Sequence, residues 1–229
     1  KKIPTPNAIL CISAHWYTKG TYITSGEMQK TIHDFYGFPQ ELFEVEYPAK
    51  GNPELAKETA ELLAPTSVIE TDSWGLDHGA WSVIKHLYPA ANIPVIQMSI
   101  DYTQPAQYHF DLAKKLQKLR EKGILIIGSG NVVHNLRMID WKNINTVGAG
   151  WDWAIEARAK TNEWILDGNF QNLIHFEKQG TALQNAIPTP DHYLPLIYTL
   201  GLKEKNDNIS LFNDELIGGS LSMTSVFVG

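Results

Sequence analysis

The stretch that most constrains the fold is residues 123–135, GILIIGSGNVVHN. Residues 124–127 form an unbroken apolar run of strand length, which is typical of a strand covered on both faces in a parallel sheet. Small residues at 128–131 then interrupt the strand, and His134 follows them. Open α/β sheets bind ligands just beyond the carboxyl ends of their strands. His134 is therefore a candidate site residue, with a structural histidine as the alternative.

The rest of the chain alternates apolar strand patterns with amphipathic helices. Residues 7–13 and 94–100 are strand-like, whereas Asn52-Pro53 and Asp77 have the side chains that begin helices. The alternation predicts an α/β fold, as a single three-layer domain over residues 1–229 with a mainly parallel central sheet flanked by helices. Two late apolar stretches, near 209–212 and 222–228, are expected to complete that sheet.

Composition and charge exclude several classes of partner. The net charge is −6, and no Lys/Arg cluster is interleaved with aromatic residues, so no nucleic acid partner is expected. No apolar run approaches the roughly 20 residues needed to cross a bilayer, so no membrane partner is expected either. Cys11 is the single cysteine, which excludes an intrachain disulfide and a thiolate metal site and fits a cytoplasmic location. The sequence carries no signal for the oligomeric state.

Histidines gather at the turns that follow the strand patterns. Four of them lie next to glycine, proline or tryptophan: His15, His78, His134 and His192. Three other histidines, His86, His109 and His175, are not candidates, because they fall within or near helices, where surface exposure or partial burial is the default. A site made mostly of imidazoles suits iron(II) or zinc and disfavours magnesium.

Aromatic residues accompany these histidines and have two interpretations. The segment 31–43, TIHDFYGFPQELF, surrounds His33 with Phe35 and other rings, either as a plug over the core or as a wall for a flat substrate. Asp77 and the tryptophans near it similarly serve either as a helix cap with core residues or as part of a site. The aromatic candidates for such a wall are Trp16, Trp74, Trp81, Phe35 and Phe38.

Five motifs together resemble a known family. They are SAHW around His15, TIHDF around His33, WGLDHGAW around His78, SGNVVHNLR around His134 and PTPDHYLPL around His192. In this order, along essentially the whole chain, they resemble the bacterial 4,5-DOPA dioxygenase proteins. That group belongs to the class III extradiol ring-cleavage dioxygenases, which are related to the catalytic subunit of protocatechuate 4,5-dioxygenase.

The resemblance implies a mononuclear non-haem iron(II) enzyme, with Zn(II) as an alternative bound metal. By position, His15 and His192 match metal ligands, and His134 matches a histidine assigned as acid/base or as an additional ligand. His78 matches a substrate-pocket histidine and is the second catalytic candidate, while His33 is a candidate for substrate binding. The implied reaction inserts both atoms of O₂ into a catechol such as DOPA and gives a muconate-semialdehyde type product. Two alternatives are a zinc hydrolase and a non-catalytic binding protein on the same scaffold.

The amino-terminal end departs from the family pattern. The family has an earlier ligand in a His-Gly-Ser-Pro motif after its first strand, and this sequence lacks that motif. The sequence begins at Lys1 without methionine, so further residues carrying the motif are expected to precede Lys1.

Overall fold

The computed structural model describes residues 3–229 and divides into two compact units. The first unit extends to Gln104 and also includes Lys115–Ser129; the second comprises Pro105–Lys114 and Gly130–Gly229. Lys1 and the residues expected before it lie outside the described part of the chain. The prediction of one catalytic domain over residues 1–229 remains a prediction.

The first unit is built on a five-stranded sheet in the order β3-β2-β4-β1-β5. Its strands are β1 (Ala8–Thr18), β2 (Thr21–Thr24), β3 (Val68–Thr71), β4 (Val95–Asp101) and β5 (Ile124–Ser129). Its helices are α1 (Gln40–Phe43), α2 (Pro53–Leu62), α3 (His78–Leu87) and the last turns of α4 (Ala106–Glu121), which begins in the second unit.

The sheet is mixed but mainly parallel. Strand β1 runs parallel to β4 and β5, β2 runs parallel to β3, and the β2–β4 pair alone is antiparallel. Helix α3 packs on β1 and β5, and α2 packs on β2 and β3. The predicted α/β class, with a mainly parallel central sheet flanked by helices, is confirmed.

The sheet is buried at its centre and open at its β5 edge. Every residue of β4 is buried, and so are the first seven residues of β1, because side chains on both faces of these strands are covered. In β5, by contrast, 125–127 are half-buried. The prediction that this run is fully covered on both faces is wrong, because Leu125 and Ile127 on one face and Ile126 on the other stay partly accessible.

The helix ends of the first unit follow the capping residues of the sequence. The Asn52 side chain accepts a hydrogen bond from the backbone N–H of Leu55, 3.0 Å away, and Asp77 accepts one from Ala80 at the start of α3. Gly123 follows the end of α4 with φ of +74°, a left-handed conformation that glycine adopts without strain. These predicted boundaries are confirmed.

The second unit combines four further helices with two small strand pairs. The helices are α5 (Asp152–Leu166), α6 (Phe170–Ile174), α7 (Thr181–Ala186) and α8 (Leu194–Gly201). The strands are β6 (Ile209–Phe212), β7 (Leu216–Ile217), β8 (Leu221–Ser222) and β9 (Ser225–Val228). Strands β6 and β9 form one antiparallel pair, and β7 and β8 form another. The expectation that 209–212 and 222–228 complete the central sheet is therefore wrong.

The structure also tests the predictions for the histidines in or near helices and for the buried face of α4. His86 and His175 are exposed, as expected, but His109 is fully buried, with its Nδ1 2.9 Å from the hydroxyl of Tyr198. The helical period is retained in α4, where Leu112, Leu116 and Leu119 are buried as predicted. Among residues 3–229, no helix combines the length and the apolar character needed to cross a membrane.

Candidate metal centre

His15 lies where β1 leaves its regular pairing. Strand β1 pairs with β4 as far as Ile12 and again from Tyr17, and the register shifts between these two residues. Irregularities of this kind bend a strand and redirect its side chains. His15, inside the shifted segment, is half-buried, whereas the preceding residues of β1 are fully buried.

His78 is the first residue of α3, and a buried carboxylate fixes that end of the helix. Asp77 accepts hydrogen bonds from the backbone N–H of Ala80 at 3.0 Å, from the hydroxyl of Ser13 at 2.7 Å and from the side-chain amide of Gln97. Ser13 belongs to β1 and Gln97 to β4, so one carboxylate holds the start of α3 against two central strands. Burial raises the pKa of Asp77, although these hydrogen bonds oppose the rise.

A close approach at Gly79 lets the start of α3 lie against His15. A Cβ atom at this position would stand 2.6 Å from Ser13 Oγ and 2.9 Å from His15 Cδ2, both closer than van der Waals contact. Glycine is therefore required here for packing, and it brings the His78 and His15 rings to a centroid separation of 3.9 Å.

Asp34 lies between these two imidazoles. Its Oδ1 is 2.9 Å from His78 Nδ1 and accepts from the His78 backbone N–H at 2.8 Å, while its Oδ2 is 3.3 Å from His15 Nδ1. Burial alone would raise the pKa of Asp34, but hydrogen bonds from His15 and His78 outweigh it and hold that pKa well below its usual range. The carboxylate is therefore ionised, and it orients both rings.

The aromatic candidates of the first unit fall into two groups. Phe35 packs edge-on against His78, with ring centroids 5.3 Å apart, and also contacts His33 and Trp81. The Trp81 indole N–H donates to the carbonyl of Ile32 at 3.0 Å. Phe35 is thus the aromatic candidate that reaches the histidine cluster directly.

Trp16 and Trp74 form a separate stacked pair, with centroids 5.7 Å apart and planes 11° from parallel. His33 is also engaged, because its Nε2 lies 2.9 Å from the carbonyl of Val45. Their assignment to substrate binding remains a prediction.

In the second unit, His134 and His192 stack on each other. Their ring centroids are 3.6 Å apart and their planes differ by 5°. The backbone N–H of His134 donates to Ala186 at 2.9 Å, and the backbone carbonyl of His192 accepts from Asn131 at 2.8 Å. A Cβ at Gly130 would lie 2.2 Å from that His192 carbonyl oxygen, so glycine is required at this contact as well.

Asp191 is the charged partner of this histidine pair. Its Oδ2 lies 2.5 Å from His192 Nδ1. Burial by itself would raise the pKa of Asp191, but hydrogen bonds from His192 and Thr189 lower it to about 2. The carboxylate thus fixes the orientation of the His192 ring, as carboxylates beside histidine ligands commonly do.

The sequence of this chain matches the model of a known protein family. The family model for the catalytic LigB subunit of aromatic ring-opening dioxygenase matches residues 1–223. The chain belongs to this LigB family. The resemblance carried by the five sequence motifs is confirmed.

Named relatives of this LigB-family chain come from a bacterium and from plants. A 4,5-DOPA dioxygenase extradiol of Escherichia coli K12 is 44% identical over 99% of this chain and 84% of its own length. The Beta vulgaris protein of the same name is 34% identical over 96% of this chain and 82% of its own length. The crystal structure of an uncharacterized Escherichia coli K12 protein superposes with a TM-score of 0.81 at 38% identity, covering 97% of this chain and 86% of that one.

The donor set in the first unit of this LigB-family chain fits a metal ion. His15, Asp34 and His78 each offer one ligand atom, and these atoms all lie within 4.8 Å of one another. Two imidazoles and a carboxylate suit iron(II) and zinc(II) alike.

The cluster contains one predicted ligand, His15, together with His78, which was predicted as catalytic. Sequence reasoning missed Asp34, although it directly follows His33 in TIHDF. An acid beside a histidine in an aromatic segment was the available signal. The roles of His134 and His192 as ligands stay predictions.

Proposed function

We propose that the chain is a non-haem, metal-dependent extradiol dioxygenase that opens the ring of a catechol such as DOPA. The observation that carries the proposal is the His15–Asp34–His78 cluster in a chain that the LigB family model matches over residues 1–223. Within this cluster we assign His15 to the metal, Asp34 to orienting both rings and His78 to proton transfer. The relatives named 4,5-DOPA dioxygenase extradiol support the choice of substrate class.

In the proposed reaction, one catechol and one O₂ give one muconate-semialdehyde type product. The carbon–carbon bond that breaks lies beside the diol, both oxygen atoms enter the product, and no external reductant is needed. We propose Fe(II) as the functional metal, with Zn(II) as an alternative bound ion. When bound, iron(II) supplies redox chemistry toward O₂ and a template that holds the catechol oxygens.

His15 is our candidate ligand in the first unit, and Asp34 positions it. A carboxylate that accepts the proton on one ring nitrogen fixes the tautomer and directs the other nitrogen outward. The 3.3 Å contact between His15 Nδ1 and Asp34 Oδ2 gives His15 this arrangement. His192 is the other ligand that the sequence predicts, and metal analysis of single variants tests it and decides between the ligand and the acid/base role of His134.

His78 is suited to move a proton. Its Nδ1 donates to Asp34 Oδ1 across 2.9 Å, which leaves Nε2 to accept a proton from a catechol hydroxyl. The ionised Asp34 then stabilises the imidazolium and keeps the ring in place for the proton's return. His134 is the second acid/base candidate, and its replacement is expected to lower turnover while leaving the metal bound.

The experiment uses protein purified without oxygen and loaded with Fe(II). We expect DOPA to drive O₂ consumption and formation of a yellow product. His15→Ala should lose metal and turnover, whereas His78→Gln should keep the metal and lose most of its turnover. His175→Ala is the matched control, because His175 is exposed, and it should change neither quantity.

Three outcomes would contradict this assignment. Protein that contains zinc, is inert to catechols and hydrolyses esters or amides would be a zinc hydrolase. Protein with neither metal nor turnover would be a binding module. Loss of metal from His78→Gln would make His78 a ligand and refute its role as the proton acceptor.

The remaining partners follow from composition. We propose that the chain acts on a small catechol and O₂ in the cytoplasm, without nucleic acid or membrane. The net charge of −6 and the free, buried Cys11 support these assignments.

A further inference from the structure

A cavity of about 380 Å³ opens beside His78 in the first unit. Helix α3 forms one wall, and the segment from Phe35 to Val45 forms the other. Phe35, Phe38 and Trp81 supply aromatic lining, whereas His78, Lys85 and His86 supply polar groups. This volume is in the range of small-molecule sites, which are mostly apolar and have a few placed polar groups.

Three of the cavity-lining residues of α3 lie along one face of the helix. Trp81 is three residues beyond His78, and Lys85 is four residues beyond Trp81, a spacing that keeps all three side chains on the same side. With a rise of 1.5 Å per residue, the backbone of Lys85 lies about 10 Å along the helix from that of His78. The cavity therefore has an imidazole at one end and an ammonium group at the other.

The charge at the Lys85 end has no counter-ion among residues 3–229. Lys85 is half-buried, and within residues 3–229 it makes neither an ion pair nor a hydrogen bond through its side chain. No carboxylate lines the cavity, and the acids of the facing segment, Glu41 and Glu44, are exposed. A partly desolvated ammonium group is stabilised when a ligand brings an anion to it.

We propose that Lys85 binds the carboxylate of a catechol acid and thereby selects acidic catechols over neutral ones. The ring of the substrate lies against Phe35 and Trp81, with its hydroxyls toward His78. A catechol carrying a two-carbon or three-carbon acid side chain measures about 8–10 Å from hydroxyl to carboxylate by standard bond lengths, which is close to the roughly 10 Å between the backbones of His78 and Lys85 along α3. This inference rests on the proposed function and names the substrate class of that same site.

The test compares two substrates that differ in one group. These are 3,4-dihydroxyphenylpropanoate and 4-ethylcatechol, which lacks the carboxylate. For Lys85→Met, we expect the ratio of KM for the acid to KM for ethylcatechol to rise about ten-fold, because one charge-assisted hydrogen bond to the carboxylate is lost. Lys85→Arg should restore most of the ratio, because it keeps the positive charge.

Lys57→Met is the matched control, since Lys57 is an exposed lysine on α2. It removes the same charge from the protein surface and should leave the KM ratio unchanged. An unchanged ratio in Lys85→Met, or an equal rise in Lys57→Met, would overturn the proposal.

A binding measurement separates this inference from the proposed reaction. Iron-loaded protein is titrated calorimetrically with both compounds in the absence of oxygen, where no turnover occurs. Tighter binding of the acid than of ethylcatechol, abolished in Lys85→Met, supports the carboxylate site even if no ring opening is later found. Equal binding of the two compounds by the unmodified protein would refute the site even if ring opening proceeds.

Discussion

Replacing Asp77 by alanine removes a carboxylate that joins three elements of the first unit. Asp77 is fully buried and accepts hydrogen bonds from Ser13 of β1, Gln97 of β4 and the backbone of Ala80 in α3. The variant would leave the Ser13 hydroxyl and the Gln97 amide without this acceptor, and it would remove the cap of the helix that begins with His78.

The expected loss of stability follows from these contacts. Each buried polar group left without a partner costs about 1–3 kcal/mol. Loss of a helix cap costs about 1 kcal/mol. Removing the carboxylate also removes the free-energy cost of burying its charge, a cost that the raised pKa of Asp77 reflects. This gain offsets part of the loss. We therefore expect the free energy of unfolding to fall by about 3–5 kcal/mol.

The assay is urea denaturation of metal-free protein, followed by tryptophan fluorescence and circular dichroism. Asn52→Ala is the matched control, because Asn52 caps α2 through a single hydrogen bond to Leu55 and is half-exposed. It should cost about 1 kcal/mol. Equal losses in the two variants would show that Asp77 is no more than a helix cap, and the argument from its contacts with the two strands would be refuted.

Three further predictions concern pH and close packing. Burial raises the folded-state pKa of Asp77 above the unfolded value of about 3.9. Protonated Asp77 therefore makes its whole contribution to the free energy of unfolding at pH values below about 3.9. This contribution is lost as pH rises through the folded pKa, so urea midpoints should show wild type losing stability relative to Asp77→Asn across this window. Gly79→Ala should cost about 1–3 kcal/mol and weaken Fe(II) binding by displacing His15, as denaturation and metal titration can show. Gly130→Ala should cost a similar amount and shift the His192 ring resonances in nuclear magnetic resonance spectra, because its Cβ would overlap the His192 carbonyl; unchanged resonances would contradict the contact.

The sequence predicts those parts of the fold that depend on local chemistry. Asn52 and Asp77 begin helices because their side chains accept hydrogen bonds from backbone groups three residues away. The apolar run at 124–127 predicts a strand correctly but not its position at the sheet edge. Strand order depends on pairing between distant segments, and an apolar run has the same pattern at an edge as in the centre.

The same limit applies to the small strands and to the site. The stretch 222–228 is strand-like, yet its partner is set by the second unit, where β9 pairs with β6. His15 and His78 stand out in the sequence because each follows an apolar strand pattern and has tryptophan nearby. The part played by Asp34 depends on its contact with His78, 44 positions along the chain, and no local pattern encodes that contact.

The single carboxylate shared by two imidazoles makes the chemistry of one ring depend on the other. When His78 takes up a proton, it draws the negative charge of Asp34 toward itself and lowers the electron density available to His15. Under the proposed assignment, a metal ion held by His15 and a proton held by His78 therefore compete for the negative charge of one carboxylate. Under the proposed function, metal binding and proton transfer at the substrate are thereby coupled through one side chain.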